Sequence, residues 1–575
     1  MPHVIVILLF SLFLFPDLGS GQAISSGEPF DVLFTDVRIM DGSGNPWFPG
    51  DVGIRDGRIV AVGPLGATPA RRVIPGRGRI LAPGFIDLHS HAGEGRRSLV
   101  SEDTLSRSAP NLVAQGATTL VVNQDGRSPW PIGERRAEME HLGIGPNAIF
   151  LVGHGTVRRE VMGDDHQRPA TPDEVDQMRG MVRQAMEEGA WGLGAAHEYV
   201  PGRWATTDEI VALVEEVRPE GGIYVVHERS SGTDPMWWWP SEGPPGPPSM
   251  IDAVMETIEV AERTGVTSVQ THIKARGANF WGSGRTLIQL IERARERGVN
   301  IWADHYPYNT SGSDGNTVLI PSWASDREAS EEEDADHVAA LQAVLGDAEA
   351  ARRLRLDVAH EIRRRGDPEN ITIFEHPNPT WVGRTLHELA VEAGEGPVEM
   401  ALRIQLEGFP ERRGGARMRG FSMSEIDLEL FAAQPWIATA SDAGIALPTD
   451  GPVHARFYGT FPRKIRHYAL DRGVLSLEDA IRSMTSLPAQ ILGLRDRGMV
   501  REGFAADLVL FDLDRIRDRA DFFDPHQYPD GIDYVLVNGE FAVEGGVLTG
   551  SLSGSVLIPR EHSRNATPRS DGSFQ

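Results

Sequence analysis

His89 and His91 stand two residues apart in the run FIDLHSH (85–91). Side chains alternate along a strand, so the two imidazoles point the same way and can bind one metal ion. A histidine pair alone decides little, because a lone histidine is more often structural than a ligand. The same placement recurs along the chain: Asp125 follows an apolar run at 118–124, His227 ends one at 223–227, His272 ends one at 268–272, and Asp442 follows one at 436–441. The chain has no cysteine, which excludes disulfides, thiolate metal sites and cysteine nucleophiles. Any metal must therefore be held by His, Asp or Glu. Such donors suit Zn²⁺, and Mn²⁺, Co²⁺ and Fe²⁺ are chemically compatible with them. Zinc with an open coordination position brings the pKa of water to ~7 and polarises a carbonyl oxygen, so hydrolysis is the natural use.

Eight apolar runs have to carry these residues: 85–91, 118–124, 148–153, 191–195, 223–227, 268–272, 300–304 and 436–441. Amphipathic helices alternate with them, and Thr171 and Thr206 each precede a helix with Glu three residues on, which is a capping signal. Eight strands with interleaved helices predict an α/β fold, a (β/α)₈ TIM-like barrel over 83–502, whose chemistry sits at the strand C-termini. The six candidate residues would then share one rim. The stretch 309–379 is too long for a loop and reads as an inserted subdomain. Short β pieces with turn signals at both chain ends, such as Asp56-Gly57 and Asn538-Gly539, predict a small β-sandwich domain built from 28–82 and 503–560.

Composition sets the class. The 575 residues carry 56 basic and 82 acidic side chains, a net charge of −26, which argues against nucleic acid as a partner. The apolar run 4–15, VIVILLFSLFLF, is too short for a membrane span and is followed by Pro16 and small residues, so 1–23 reads as a signal peptide and the protein as exported, periplasmic or secreted. No later stretch is long and apolar enough to span a bilayer, and 561–575 reads as a disordered tail. Only two of the basic residues are lysines, Lys274 and Lys464.

Several motifs carry a family resemblance: APGFIDLHSH (82–91), VGHG (152–155), VVHER (225–229), THIKARG (271–277), DHYPY (304–308), ASDAG (440–444), HARFYGTFPR (454–463) and GFAADLVLFD (503–512). In order and spacing they resemble the N-acyl-D-amino-acid deacylases of the amidohydrolase superfamily. The resemblance implies one or two zinc ions at the barrel mouth, with Mn²⁺ or Co²⁺ as substitutes. It implies that His89 and His91 ligate one position, that His227 and His272 ligate the other, and that Asp442 takes a proton from the attacking water and gives it to the leaving amine. It also implies that Lys274, Tyr308 and Arg456 hold the carboxylate of a small anionic N-acyl amino acid. The implied activity is release of a carboxylic acid and a free D-amino acid. Alternatives are hydrolysis of a related amide, such as a D-residue dipeptide or a cyclic amide, and a non-catalytic binding protein on the same barrel.

Three departures from the family pattern bear on the chemistry. Where the family commonly has a zinc-binding cysteine, this chain has Asp125, a harder oxygen ligand able to bridge two metals. The fourth strand lacks a lysine that could be carboxylated, which argues against hydantoinase-type chemistry. An insert at 230–249 contains Trp237-Trp238-Trp239 and could overhang the site or pack structurally, and the loop 309–317 is longer than the family's. Histidines 154, 197 and 305 are read as structural.

If Asp125 is a ligand, Asp125→Cys should shift metal preference toward zinc over manganese, because thiolate is the softer donor. Competition between the two metals measures this. Unchanged selectivity counts against Asp125 as a ligand.

Overall fold

The computed structural model describes residues 28–243, 247–312, 316–325 and 336–559. The apolar run at 4–15 and the tail 561–575 lie outside the described residues.

Parallel strands form the centre. Phe85–Asp87 pairs with Ala117–Val122, which pairs with Asn147–Phe150. The same third strand resumes after Leu151 as Val152–Gly153 and pairs with Gly192–Ala196. The ladder continues in parallel through Ile223–His227, Thr267–Gln270, Ile301–His305 and Ile437–Thr439. A parallel bridge between Ser90 and Ala443 brings the ends of the first and eighth strands together. These strands are almost wholly buried, as expected for a parallel sheet covered on both faces. Ile86, Val121, Ile149, Ile223, Val269 and Ala438 meet in one apolar cluster, packed with helix Ser486–Leu492. Trp191 Nε1 donates to the Leu492 carbonyl there at 2.9 Å.

Helices cross between the strands. Thr171 caps Pro172–Glu187 in a reciprocal capping box with Glu174. Thr206 caps Thr207–Glu215 from the Glu209 amide, but the Glu209 carboxylate turns inward to His154 and Arg158 instead of closing the box.

Strands from both chain ends pair in one nine-stranded sheet. Phe30–Ile39 pairs with Ala70–Pro75 along its first half and with Ile80–Pro83 at its end. Leu508–Phe511 lies antiparallel to Ile80–Pro83, which joins the C-terminal strands to the N-terminal ones.

The seventh and eighth strands pair directly, so residues 306–436 are an excursion between neighbours. A separate hydrophobic cluster within it runs from Leu319 to Met418 and includes helices Ala348–Arg364, Leu386–Ala393 and Pro397–Leu406. This core extends well past the expected end at 379, because Arg417–Gly420 returns to pair antiparallel with Ile371–Glu375. Among the described residues no helix is long and apolar enough to cross a membrane.

Both lysines are buried. Lys464 Nζ lies 3.1 Å from His305 Nε2 and donates to the Ala432 carbonyl at 3.0 Å. Burial pulls its pKa from 10.5 down to about 7. Between those values the unfolded chain holds a proton that the folded chain lacks, so this lysine makes stability rise with pH across the window, and its full penalty applies below about 7. Lys464→Met should therefore flatten the rise in unfolding temperature between pH 7.5 and 9.5 relative to the parent. Parallel profiles would show that Lys464 is not buried in a depressed state.

Candidate metal centre

The first and eighth strands are stitched beyond their ladders. Asp442 N donates to the His89 carbonyl and His91 N to the Ala443 carbonyl, both at 2.9 Å, while Asp87 Oδ1 accepts from Ser441 N at 2.8 Å. These bonds place Asp442 against both histidines: its Oδ1 lies 3.1 Å from His91 Nε2 and 3.6 Å from His89 Nε2. The two Nε2 atoms are 3.3 Å apart. On the far side His272 Nε2 lies 2.9 Å from His227 Nδ1. Asp125 stands between the pairs, 3.4 Å from His227, 3.9 Å from His272 and His89, and 3.8 Å from His91. All six residues proposed from sequence for metal binding and proton transfer thus meet in one buried cluster.

The outward-facing nitrogens of His89, His91 and His227 are held, whereas His272 Nδ1 is buried without a hydrogen-bond partner among the described residues. Thr271 Oγ1 donates to Asp304 Oδ2 at 2.7 Å, so the His89 Nδ1–H donates to Thr271 Oγ1 and leaves the Nε2 lone pair facing the cluster. His91 Nδ1 contacts Glu94, and His227 Nε2 lies 3.1 Å from Glu198 Oε2. His227 therefore presents Nδ1 to the centre. Asp304 Oδ1 also accepts the His272 amide at 2.7 Å. Asp125, His272 and Asp442 have φ of 56°, 36° and 51°. Such left-handed backbone is costly for residues with side chains and concentrates at functional sites.

Electrostatics follow from burial and contact. Burial raises Asp442, but Arg456, with Nη1 2.8 Å from its Oδ2, and the nearby imidazoles outweigh it and hold the carboxyl well below the usual range. Burial likewise raises Asp125, and His227 and the other imidazoles reverse the shift. Burial lowers His91 and His227, yet contacts with Asp442 and Glu94 push the first up to about 10, and Asp125 and Glu198 push the second up to about 9. Burial keeps His89 down at about 3 and His272 well below its ordinary value.

The donor set fits a metal. Two nitrogens bound at ~2.1 Å to one tetrahedral ion stand ~3.4 Å apart, close to the separation of the His89 and His91 Nε2 atoms. Asp125 Oδ1 is buried without a well-aligned donor, surrounded by imidazole nitrogens. His89, Asp125 and His272 form one group whose donor atoms lie within 4.8 Å of one another, and His89, His91 and Asp442 form a second.

Lys274 and Arg456 reach the same site, but Tyr308 does not. Tyr306 is the aromatic neighbour: Lys274 Nζ lies 5.4 Å and the Arg456 guanidinium 4.6 Å from its ring centroid. Tyr308 instead packs against Arg463 and His454. Its amide donates to the Tyr306 carbonyl, a tight turn at Pro307 that ends strand alternation. Alternation within the strand already aligned Tyr306 with Asp304, so that signal was present in the sequence. Asp304, Thr271 and Glu198 were not singled out from sequence. Glu198 follows the fourth strand much as Asp125 follows the second, which is the signal that could have found it. His154, His197 and His305 are held by Glu209, Tyr224 and Lys464, away from the cluster.

A model of the Amidohydrolase family matches residues 72–215 and 323–543. The chain is 30% identical over 556 residues to the D-aminoacylase of Alcaligenes xylosoxydans xylosoxydans, covering 93% of this chain and 98% of that one. It therefore belongs to the amidohydrolase family. An N-acyl-D-glutamate deacylase from Bordetella bronchiseptica, solved with zinc and a phosphonate inhibitor that mimics the reaction's tetrahedral intermediate, is similar in structure. Its TM-score is 0.69 at 29% identity, over 92% of this chain and 100% of that chain. A D-aminoacylase structure, described for its binuclear metal centre with one-metal activation and second-metal attenuation, has the same TM-score, identity and coverage.

Asp304→Asn should weaken zinc binding by about 10–100-fold, because outer partners of metal-ligating histidines typically carry that much. Chelator competition on the folded variant measures it. Parent-like affinity would mean that Asp304 does not orient His89 or His272.

Proposed function

We propose that this chain hydrolyses the amide bond of N-acyl-D-amino acids, releasing a carboxylic acid and a free D-amino acid. The observation that carries the proposal is the joining of Asp442 to two elements at once: the imidazole cluster through Oδ1 and the buried cation Arg456 through Oδ2. His89, His91, His227, His272 and Asp125 would hold one or two zinc ions, with Mn²⁺ or Co²⁺ fitting the same donors. A bound ion would supply Lewis acidity, acidifying water and polarising the amide carbonyl.

The protein's own groups do the rest. Asp442, kept ionised by Arg456, accepts a proton from the attacking water and passes it to the amine nitrogen as the C–N bond breaks. Lys274 and Arg456, gathered on the Tyr306 ring, form a buried cationic wall suited to the substrate carboxylate. Such a wall selects small anionic amides. The D configuration is taken from the relatives, whose names specify D substrates. In this reading the parallel array closes as a (β/α)₈ barrel, and the bent strand Phe30–Ile39 folds the terminal sheet into a sandwich.

The test is amine release from paired D and L N-acetyl amino acids with added Zn²⁺, Mn²⁺ or Co²⁺, before and after chelation. Preference for D substrates and loss of release on chelation are expected. L preference, or release indifferent to chelation, contradicts the proposal. Asp442→Asn should keep the fold and most of the metal while turnover falls by about 10²–10⁴-fold, since an amide cannot accept the water's proton. Near-parent turnover would remove Asp442 from the mechanism.

A further inference from the structure

Within the Trp-rich insert, residues 230–243 make two sets of contacts that bear on the metal centre: to a carboxylate behind His227, and to a helix of the inserted subdomain. Glu198 is fully buried and occupied on both oxygens. Its Oε2 faces His227 Nε2 at 3.1 Å, and its Oε1 accepts the Met236 amide at 2.6 Å and Arg276 Nη2 at 3.1 Å. Met236 belongs to the insert, and Arg276 Nη2 also reaches the Asp234 carbonyl at 3.3 Å.

The insert is gripped in turn by one face of helix Ala348–Arg364. Asp357 accepts from Ser241 N and Oγ at 2.9 and 2.7 Å, and His360 Nε2 lies 3.0 Å from Asp234 Oδ1. Arg364 donates to Asp234 Oδ1 at 3.1 Å, to the Pro235 carbonyl at 2.8 Å and to the Met236 carbonyl at 3.1 Å. Residues 357, 360 and 364 recur at helical spacing, so one stripe of the helix holds the whole segment 234–241. Trp238 packs edge-on against His360, and the Arg364 guanidinium lies 5.1 Å from the Trp239 ring centroid. Trp238 and Trp239 thus line this joint, while the Arg203 guanidinium lies 5.2 Å from the Trp237 ring centroid.

We infer that Glu198 is a positioning residue for the metal centre, and that the insert and the subdomain helix act through it as a buttress that fixes His227. A carboxylate on Nε2 forces the tautomer whose Nδ1 lone pair faces Asp125 and His272. Glu198 can hold that ring only if it is itself held, and two of its partners, the Met236 amide and Arg276, are placed by the buttress. This inference rests on the metal-centre reading of the proposed function. It gives the inserted subdomain a role in metal retention.

The experiment is zinc affinity by chelator competition on the full chain, with circular dichroism and thermal unfolding of the metal-free protein as controls for folding. Glu198→Gln is expected to weaken zinc binding by about 10–100-fold. Arg364→Met, which touches no metal ligand, is expected to weaken it in the same direction by several-fold. The double variant should lose no more than Glu198→Gln alone, because both act on one ring. Asp234→Asn keeps size and shape and replaces Arg364→Met if that variant does not fold. Parent-like affinity in Glu198→Gln, parent-like affinity in the folded insert or helix variant, or strictly additive losses in the double variant would each overturn the inference. A parent chain that binds no zinc would instead overturn the metal reading on which it rests.

Discussion

Two imidazole nitrogens 2.9 Å apart cannot both point lone pairs at each other in a buried space unless something positive lies between them. His227 Nδ1 and His272 Nε2 are in that position, and the outward nitrogen of His227 is already engaged by Glu198. The His89 and His91 Nε2 atoms repeat the situation at 3.3 Å beside Asp442. Without a metal, the carboxylates Asp442 and Glu94 push His91 up and Asp125 and Glu198 push His227 up, while burial keeps His89 and His272 down, so each close pair joins a protonated ring to a neutral one. Divalent cations held by these donor groups would satisfy the inward lone pairs and carboxylates and displace those protons, so metal affinity should fall as pH falls.

Much of the surrounding architecture serves that constraint. The strands deliver ligands from opposite sides of the array, and the bonds between 87–91 and 441–443 hold Asp442 against the first histidine pair. Left-handed backbone at Asp125, His272 and Asp442 is paid for by neighbouring bonds, such as the His272 amide to Asp304 and the Asp442 amide to the His89 carbonyl. Asp304 acts on two ligands through its two oxygens, one by way of Thr271 and one by way of a backbone amide. Arg456 counters the buried charge of Asp442, and in the proposed function it would also meet the substrate carboxylate.

The convergence of His89, His91, Asp125, His227, His272 and Asp442 was legible in the sequence because each residue ends or follows a short apolar run, and a parallel array places such ends together. That logic holds for His89 and His91, and it carries Lys274 to the same side as His272. It fails at Tyr308, because Pro307 makes a turn that period-two reasoning does not register, and Tyr306 takes the expected place. The residues behind the histidines are harder to read: Glu198 carries the positional signal of following the fourth strand, but it and Asp304 meet their histidines across strands, and no local spacing announces such a pairing. The inserted subdomain was read too short because its later helices, Leu386–Ala393 and Pro397–Leu406, have the same amphipathic pattern as the helices that cross between strands. Their separate hydrophobic cluster and the pairing of Ile371–Glu375 with Arg417–Gly420 set them apart.

Anomalous diffraction at the zinc edge, from crystals of the protein loaded with zinc, tests the central claim most directly. The account predicts one or two peaks within bonding distance, ~2.0–2.2 Å, of inward-facing nitrogens of His89, His91, His227 and His272, with Asp125 as an oxygen ligand. Zinc bound elsewhere, with these five side chains closed on one another through hydrogen bonds alone, would contradict it.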